Sequence, residues 1–391
     1  MKVGLFYLPS AGTRAEIERG MVGQNDEAYQ RMLADLSDQV RLADELGYDS
    51  VAFTEHHFHI EGFEISNNPV LLDLYVAMQT RRIRVGQLGI VLPASSPLRV
   101  AEDIAMLDHM SGGRAFAGFA RGYQRRWVDT LAQPYRVGAT LSDESEVDRL
   151  NREAFEEFYQ IVKLAWTRET FSFRGRFWTI PPEGVPWEIA ATRQWGRGVD
   201  EHGRLTEIGI APRPLQKPHP PLMQPFAFSE STIRWCAREG IMPILSPVDV
   251  SLRLHLYHAY QDEARAAGRD LAFGEGLGLL RDLVVAPTDE EARELHAKSG
   301  AFVGGAWFRP FGFDRGLTAP GEAGPLTAAQ LYERGLALVG SPETVTKQLD
   351  LLFKQAPVDY LVAWQYISLL PNEVLKRSLE LFATKVLPHF Q

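Results

Sequence analysis

Short apolar runs alternate along the chain with longer stretches of helical periodicity. Eight of these runs are typical of buried strands: residues 3–7, 50–54, 83–92, 115–120, 222–227, 241–245, 277–285 and 358–364. Between the runs, apolar residues recur at steps of three or four, as at Met32, Leu36, Val40 and Ala43, and this spacing indicates helices. Near-continuous apolar strands that alternate with helices predict a parallel sheet covered by helices.

The helical periodicity, with its Pro and Gly boundaries, also gives bounds for the helices. Helices are predicted over residues 26–46, 70–80, 142–168, 231–239, 252–267, 289–300, 327–336 and 342–355, with two more that begin near Pro97 and Pro371. Gly47 follows the first of them as a C-terminal cap, because glycine adopts the left-handed conformation at low cost.

Eight strand–helix units favour a closed barrel over an open sheet. No Gly-x-Gly-x-x-Gly pattern follows the first strand, which weighs against an open dinucleotide-binding sheet. We therefore predict an α/β fold, a (β/α)8 TIM barrel that forms one domain over residues 1–391. Its insertions, at about 169–221 and 301–325, are expected on the C-terminal face, at the mouth of the active site.

The two insertions have unusual compositions. Residues 169–221 are rich in Trp, Arg, Gly and Pro, and we predict a hairpin there that pairs 188–193 with 205–211. Residues 301–325 are rich in Gly and Pro with an aromatic cluster, which predicts a long loop.

Composition excludes several classes of protein. The 391 residues include 41 Lys+Arg and 50 Asp+Glu, a net charge of −9 that argues against a nucleic-acid surface. A hydrophobic fraction of 45% argues against disorder. Cys236 is the only cysteine, so neither an intrachain disulfide nor a cysteine zinc cage can form, and we expect a cytoplasmic protein. No run is long enough for a signal peptide or a membrane span.

A histidine-rich run, EHHFH at residues 55–59, follows the second predicted strand. Adjacent residues of an extended segment point apart, so His56 and His57 are poorly placed to share a metal ion, although His57 and His59 could do so. Three roles for these histidines stay open: a metal site, a structural cluster and an active-site imidazole. The position at the end of a barrel strand favours the imidazole, and no metal is expected.

Two further polar features follow predicted strands. Arg121 ends the fourth strand, and either a bound anion or a salt bridge to a neighbouring helix would compensate its charge. Ser229, Ser231 and Thr232 open the helix after the fifth strand. Ser229 fits a plain helix N-cap, but hydroxyls and free N–H groups at a helix start also bind phosphate. Together these features predict an anion site near a histidine.

These residues belong to a longer pattern, and the chain resembles the luciferase-like flavin monooxygenases, the luciferase alpha subunit among them. The matching pieces are EHHF at 55–58, NP at 68–69, VGQLGIVLP at 85–93, residues 102–114, RG at 121–122, residues 229–235 and 240–245, and VGSPE at 339–343. They run in order over nearly the whole chain.

The resemblance implies a (β/α)8 barrel that binds reduced FMN at the carboxyl ends of its strands. It assigns the FMN phosphate to Arg121, Ser229 and Thr232, with Ser231 nearby, and the isoalloxazine ring to Leu88 and Gly89, where the family often has a cis or strained peptide. It also makes His56 the catalytic histidine.

The resemblance further implies a two-component monooxygenase. A separate flavin reductase supplies reduced FMN, which reacts with O2 to give a flavin C4a-hydroperoxide that oxygenates an organic substrate. Departures from luciferase at Phe228 and at residues 245–247 argue against its long-chain aldehyde. Aromatic residues in the insertions, such as Trp187, Trp195 and Trp307, favour a bulky or aromatic substrate. A homodimer is expected.

Three alternatives stay open at this point. An F420-dependent oxidoreductase on the same fold would transfer a hydride without O2. A non-enzymatic flavin-binding protein would have no use for His56. A luciferase proper would emit light with a long-chain aldehyde.

Overall fold

The structure is a computed structural model that describes residues 1–312 and 327–390. Its strands are β1 Lys2–Tyr7, β2 Ser50–Phe53, β3 Arg84–Gln87, β4 Ile90–Val91, β5 Ala115–Ala120, β6 Phe173–Arg174, β7 Thr179–Ile180, β8 Leu222–Ala227, β9 Met242–Leu245, β10 Gly278–Val285, β11 Ala337–Gly340 and β12 Tyr360–Gln365.

The α-helices separate the strands in the predicted alternation. They are α1 Arg14–Arg19, α2 Asp26–Leu46, α3 Pro69–Ala77, α4 Pro97–Met110, α5 Arg125–Leu131, α6 Glu146–Thr167, α7 Ala190–Trp195, α8 Glu230–Glu239, α9 Val250–Ala266, α10 Asp289–Lys298, α11 Gly300–Val303, α12 Ala328–Glu333, α13 Pro342–Gln355 and α14 Asn372–Leu381. Among the described residues, no helix is both long enough and apolar enough to cross a membrane.

The chain divides into two compact units. The first comprises Met1–Gly89 and Leu222–Gln391, and the second comprises Ile90–Pro221. In the first unit, seven parallel strands pair in the order β3-β2-β1-β12-β10-β9-β8, and β11 adds to β10. The second unit contains the remaining barrel strand, β5. The fold class is the predicted (β/α)8 barrel.

Each unit has its own apolar core. In the first unit, Phe6, Phe226 and Trp364 lie edge to face, with ring centroids 5.4–6.3 Å apart. In the second unit, α6 buries Trp166, whose indole N–H donates to the Ala101 carbonyl at 2.9 Å. Helix α6 begins after the Ser145 cap. Its first turn contains acidic residues, whose negative charges interact favourably with the positive end of the helix dipole.

Local sequence signals place several elements well. Helix α2 spans the predicted residues, because the Asn25 side chain accepts the Ala28 N–H at its start and Gly47 adopts φ 85° at its end. The strands predicted over 115–120 and 222–227 also have the observed bounds.

Three predictions about local structure are wrong. The strand expected over 83–92 is two strands, β3 and β4, interrupted where the Leu88–Gly89 peptide is cis. The 188–193 strand is instead helix α7, which contains two alanines and no run of β-branched residues. The hairpin of this insertion is formed by β6 and β7.

The third error concerns the loop expected over 301–325. Its described part is helical: α11 is followed by a π-helical turn at Gly304–Phe308 and a 3-10 turn at Arg309–Phe311. Aromatic side chains of this segment pack on Phe63 and Trp364, and this packing overrides the loop-like composition. Residues 313–325 of the prediction lie outside the described residues. Strand β11, a buried apolar run of four, was not predicted.

Candidate active site

The segment that follows β2 carries a cluster of buried polar side chains. His56, His59 and Glu64 are 6%, 4% and 2% exposed. The His56 N–H donates to the Ser66 carbonyl at 2.8 Å, so the segment folds back on itself. Phe58 and Glu64 adopt positive φ values of 64° and 50°, which few residues with a side chain do.

The Glu64 carboxylate is the centre of this cluster. Its Oε2 atom lies 3.4 Å from Nδ1 of His56 and 3.5 Å from Nδ1 of His59. The indole N–H of Trp307 donates to the same oxygen at 2.7 Å. His59 Nδ1 also lies 3.0 Å from the Phe63 carbonyl, which can only accept, so this nitrogen carries a proton. The cluster thus combines one carboxylate with the indole N–H of Trp307 and the Nδ1 atoms of two histidines.

His57 points elsewhere. Its Nε2 atom lies 2.9 Å from Oε1 of Glu55, and the pair is partly exposed. The expectation that His57 and His59 could share an ion is therefore wrong, and His56 is the histidine beside His59. The strand alternation behind that expectation does not apply, because β2 ends at Phe53 and Phe58 turns the chain through a left-handed conformation.

One group in the described residues has the composition of a metal site: His56, His59 and Glu64 place one ligand atom each within 4.8 Å of the others. Its donors are already engaged, however. Glu64 Oε2 accepts the Trp307 N–H, and His59 Nδ1 faces a carbonyl. A metal ion would have to displace both contacts, whereas a proton shared among these groups needs no rearrangement.

The Leu88–Gly89 peptide lies beside the histidine segment. This bond is cis, as the resemblance implies. The Glu55 N–H donates to the Gly89 carbonyl at 3.3 Å, and the Leu88 N–H donates to the Phe53 carbonyl at 2.6 Å. The backbone that precedes His56 is therefore tied to the peptide at which we predicted the flavin ring.

The three predicted hydroxyl residues come together at the start of α8. Ser229 is the N-cap, and its Oγ accepts the Thr232 N–H at 3.4 Å. The same oxygen lies 2.9 Å from Thr232 Oγ1 and 3.3 Å from Ser231 Oγ. The plain capping role is thus observed, and it gathers three hydroxyls at the positive end of a ten-residue helix.

Glu230 brings a negative charge to this helix start, but its carboxylate is drawn to other partners. Arg234 and His255 each lie 2.7 Å from its oxygens. Hydrogen bonds from these two side chains lower the pKa of Glu230. The donor set of Ser229, Ser231 and Thr232 therefore suits an anion with several oxygens, such as a phosphate.

Arg121 already has a carboxylate partner, so the salt-bridge alternative is what the structure contains. Its Nη1 lies 2.6 Å from Oδ1 of Asp148 on α6, and its Nη2 contacts Ser142. Burial and the charge of Arg152 lower the pKa of Arg121. Burial would raise the pKa of Asp148, but hydrogen bonds from Thr140 and Arg121 hold it below its usual value.

A second buried acid–imidazole pair lies in the first unit, which also contains His56 and Glu64, and it was not predicted. His296 is fully buried, with Nε2 3.0 Å from Asp282 and Nδ1 3.0 Å from the Tyr332 hydroxyl. The Tyr366 hydroxyl donates to the other Asp282 oxygen at 2.7 Å. Burial and the Asp282 charge raise the pKa of Tyr366 well above its usual value. Both ring nitrogens of His296 are engaged, which is typical of a structural role.

Sequence reasoning also missed Glu64 and its contact with Trp307. Trp307 is 243 positions from Glu64 in the chain, and no local pattern signals their contact. Cys236 is a buried residue. Burial raises the pKa of its thiol well above the usual range.

Comparison with known proteins gives a consistent result. The family model for luciferase-like monooxygenases matches residues 17–360. An uncharacterised protein of Sinorhizobium fredii, y4wF, is 31% identical over 350 residues, 88% of each chain. A 3,6-diketocamphane 1,6-monooxygenase of Pseudomonas putida is 26% identical over 327 residues, 80% of each chain. An alkanal monooxygenase alpha chain of Photorhabdus laumondii is 28% identical over 59% of this chain and 53% of its own.

Solved structures share the fold. The oxygenating constituent of the 3,6-diketocamphane monooxygenase from Pseudomonas putida, a type II Baeyer–Villiger monooxygenase in complex with FMN, has a TM-score of 0.72 at 22% identity, over 100% of this chain and 99% of its own. An F420-dependent tetrahydromethanopterin reductase of Methanopyrus kandleri has a TM-score of 0.63 at 16% identity, over the same shares.

Proposed function

Because the chain belongs to the luciferase-like monooxygenase family, we propose that it is the oxygenase component of a two-component system that uses reduced FMN and O2 on a bulky cyclic substrate. Membership makes the chain an oxidoreductase of the monooxygenase class. A related structure was solved in complex with FMN, which supports the choice of flavin.

Ser229, Ser231 and Thr232 would hold the FMN phosphate. Their hydroxyls and the first N–H groups of α8 provide several donors at the positive end of the helix. Leu88 and Gly89 would contact the isoalloxazine ring. The resemblance also assigns Arg121 to the phosphate, and in the structure this side chain pairs with Asp148.

His56 would hold and move a proton at the reacting centre. Reduced FMN, when bound, would supply two electrons to O2, so that one oxygen atom enters the substrate and the other leaves as water. The imidazole suits proton transfer near neutral pH, and burial keeps bulk water away from it. The buried position of His56, after β2 and beside the backbone tied to Gly89, is the observation that carries the proposal.

The proposed substrate is bulky and apolar. The aromatic side chains of Phe6, Phe226, Phe308 and Trp364 form one contiguous group in the first unit. Phe226, Phe308 and Trp364 of this group are only partly buried, and such aromatic side chains suit a hydrocarbon ring better than a small polar molecule. Of the aromatic residues behind the original expectation, Trp187 and Trp195 are exposed, so only Trp307 and its neighbours support it here. The name of the relative that acts on a diketocamphane agrees with this choice.

The test supplies reduced FMN and O2 to the purified chain with a panel of cyclic ketones and aromatic compounds, and measures oxygenated product by mass spectrometry. H56A is expected to lower the rate about 10²- to 10⁴-fold, the usual contribution of a general acid–base group. H202A is the matched control, because His202 is an exposed surface residue and its loss is expected to leave the rate unchanged.

Three results would contradict the proposal. An H56A rate equal to wild type would remove His56 from the chemistry. Binding of reduced F420 without affinity for reduced FMN would favour a hydride-transferring oxidoreductase. Light emission with a long-chain aldehyde would instead indicate a luciferase.

The assembly is part of the same proposal. We infer a homodimer that receives reduced FMN from a separate reductase, as the family resemblance implies. Light scattering on the purified chain measures the dimer. Photochemically reduced FMN should replace the reductase if the reductase only delivers the flavin.

A further inference from the structure

The Glu64 carboxylate connects His56 to two other parts of the chain. Its Oε2 atom lies 3.4 Å from His56 Nδ1 and 3.5 Å from His59 Nδ1, and it accepts the Trp307 N–H at 2.7 Å. Burying a carboxylate costs free energy unless N–H groups compensate it, and these three side chains provide that compensation.

The geometry has a direct consequence for the His56 ring. The Glu64 oxygen lies 3.4 Å from Nδ1, and its negative charge favours a proton on that nitrogen. When the imidazole is neutral, a proton on Nδ1 leaves a lone pair on Nε2. The tautomer of a histidine is generally set by the partner of its other nitrogen.

We propose that Glu64 is a positioning residue for His56: its carboxylate keeps the His56 proton on Nδ1, so that Nε2 is the nitrogen that exchanges protons with the bound reactants. This inference rests on the proposed catalytic role of His56. Glu64 itself touches no reacting atom.

The backbone at Glu64 supports a role beyond packing. This residue adopts φ 50° in the left-handed region, which glycine occupies at lower cost. A glutamate that stays buried in this conformation needs compensating interactions, and the observed contacts of its carboxylate provide them.

Trp307 fixes the carboxylate from the other side. Its ring stacks on Phe63 with centroids 4.9 Å apart, and its N–H reaches Glu64 Oε2. The orientation of Glu64 therefore depends on the helical segment at 304–308. Movement of that segment would change the partner of His56 without touching His56.

The test uses the intact chain labelled with 15N-histidine. Ring-nitrogen chemical shifts distinguish protonated from bare nitrogens, and an H56Q sample assigns the His56 signals. Wild type is expected to show a protonated Nδ1 and a bare Nε2 on neutral His56. E64Q keeps the size of the side chain but removes the charge, and it is expected to shift His56 towards the Nε2–H tautomer.

D282N is the matched control, because Asp282 pairs with His296 in the other buried acid–imidazole pair. D282N should change the His296 signals and leave those of His56 unchanged, and E64Q should do the reverse. E64Q should also lower kcat of oxygenation about 10- to 100-fold, the usual cost of losing an outer carboxylate partner of a functional histidine. KM should change little, and E64D, which retains the charge, should restore part of kcat.

Unchanged His56 signals in folded E64Q would overturn the proposal, as would a wild-type kcat. If E64Q does not fold, W307F removes one donor to the carboxylate and keeps an aromatic ring; it should shift the His56 signals in the same direction, and no shift would equally overturn the proposal. The NMR result needs no turnover, so failure of the proposed oxygenation would be seen separately.

Discussion

Two helices of the first unit begin with the same spacing of residues. Helix α8 opens with Ser229 and Thr232, and α13 opens with Ser341 and Thr344. In both, the serine Oγ accepts the threonine N–H at 3.4 Å. At α13, the Asp289 carboxylate completes the arrangement: it accepts the Ser341 N–H at 2.7 Å and the Thr344 hydroxyl at 2.9 Å.

The serine and threonine hydroxyls also bond to each other at both helices, at 2.9 Å in α8 and 3.2 Å in α13, so the carboxylate is what differs. Among the described residues, the side chains of Ser229, Ser231 and Thr232 hydrogen-bond only within this helix start, and no carboxylate accepts from them. The same local sequence thus has an internal carboxylate at α13, and at α8 the proposed FMN phosphate would take the corresponding place. This contrast gives the proposed FMN phosphate site its physical basis.

The largest expected effect is on the affinity for reduced FMN, which should depend on the hydroxyls of α8 and not on those of α13. The S229A/T232A double variant should weaken binding of reduced FMN about 10- to 100-fold, because hydrogen bonds to a charged group contribute about 1.5–3 kcal/mol each and part of that is recovered by water. Anaerobic titration calorimetry with photoreduced FMN measures the change.

The matched variant for this experiment is S341A/T344A. It removes the same groups at α13 and should leave the FMN affinity at the wild-type value. Equal affinity losses in both double variants would mean that helix stability, and not the phosphate, explains the effect at α8.

The next effect is on the stability of the chain, and it depends on the Asp289 carboxylate at the start of α13. The pKa of Asp289 is lowered in the folded chain, chiefly by the Ser341 N–H. A carboxylate whose pKa is lowered by folding stabilises the folded chain at any pH above its unfolded-state pKa of about 4. That stability is lost as the pH falls through its folded-state pKa. D289N should therefore be less stable than wild type by about 1 kcal/mol at pH 7, with the difference disappearing in acid.

Urea unfolding between pH 2.5 and 7 measures this difference. D262N is the control, since Asp262 is an exposed carboxylate on α9 whose replacement should change stability by less than about 0.5 kcal/mol. A D289N difference that does not vary with pH would show that the charge of Asp289 does not stabilise α13.

The smallest effect should be the same at both helices. S229A and S341A each remove an N-cap, and each should lower the free energy of unfolding by about 1 kcal/mol. Urea unfolding without flavin measures both. If S229A alone destabilised the chain strongly, the α8 hydroxyls would be structural groups. The contrast with α13 would then no longer support a phosphate site at α8.

Sequence reasoning reached the elements whose signals are local. Asn25 and Gly47 mark the ends of α2, and the observed helix ends there. The strand predicted over 188–193 was wrong, because a short apolar run such as 189–191 cannot distinguish a strand from a helical turn. Strand β11 was missed, since four apolar residues between two helices give too weak a pattern.

The same limit applies to the candidate site. Ser229, Ser231 and Thr232 follow one another in the chain, so their assembly at a helix start could be predicted. Glu64 meets His56 through a left-handed turn, and Trp307 reaches Glu64 from 243 positions further along the chain. Neither contact follows from periodicity or spacing, because both depend on tertiary packing.

The burial of Cys236 makes the chain well suited to site-specific labelling. Its thiol is inaccessible and has a raised pKa, so maleimide reagents should leave the native protein unmodified. A cysteine introduced at an exposed site, such as M78C on the turn after α3, would then be the single reactive thiol. One fluorophore or spin label could thus be attached without first removing a native cysteine.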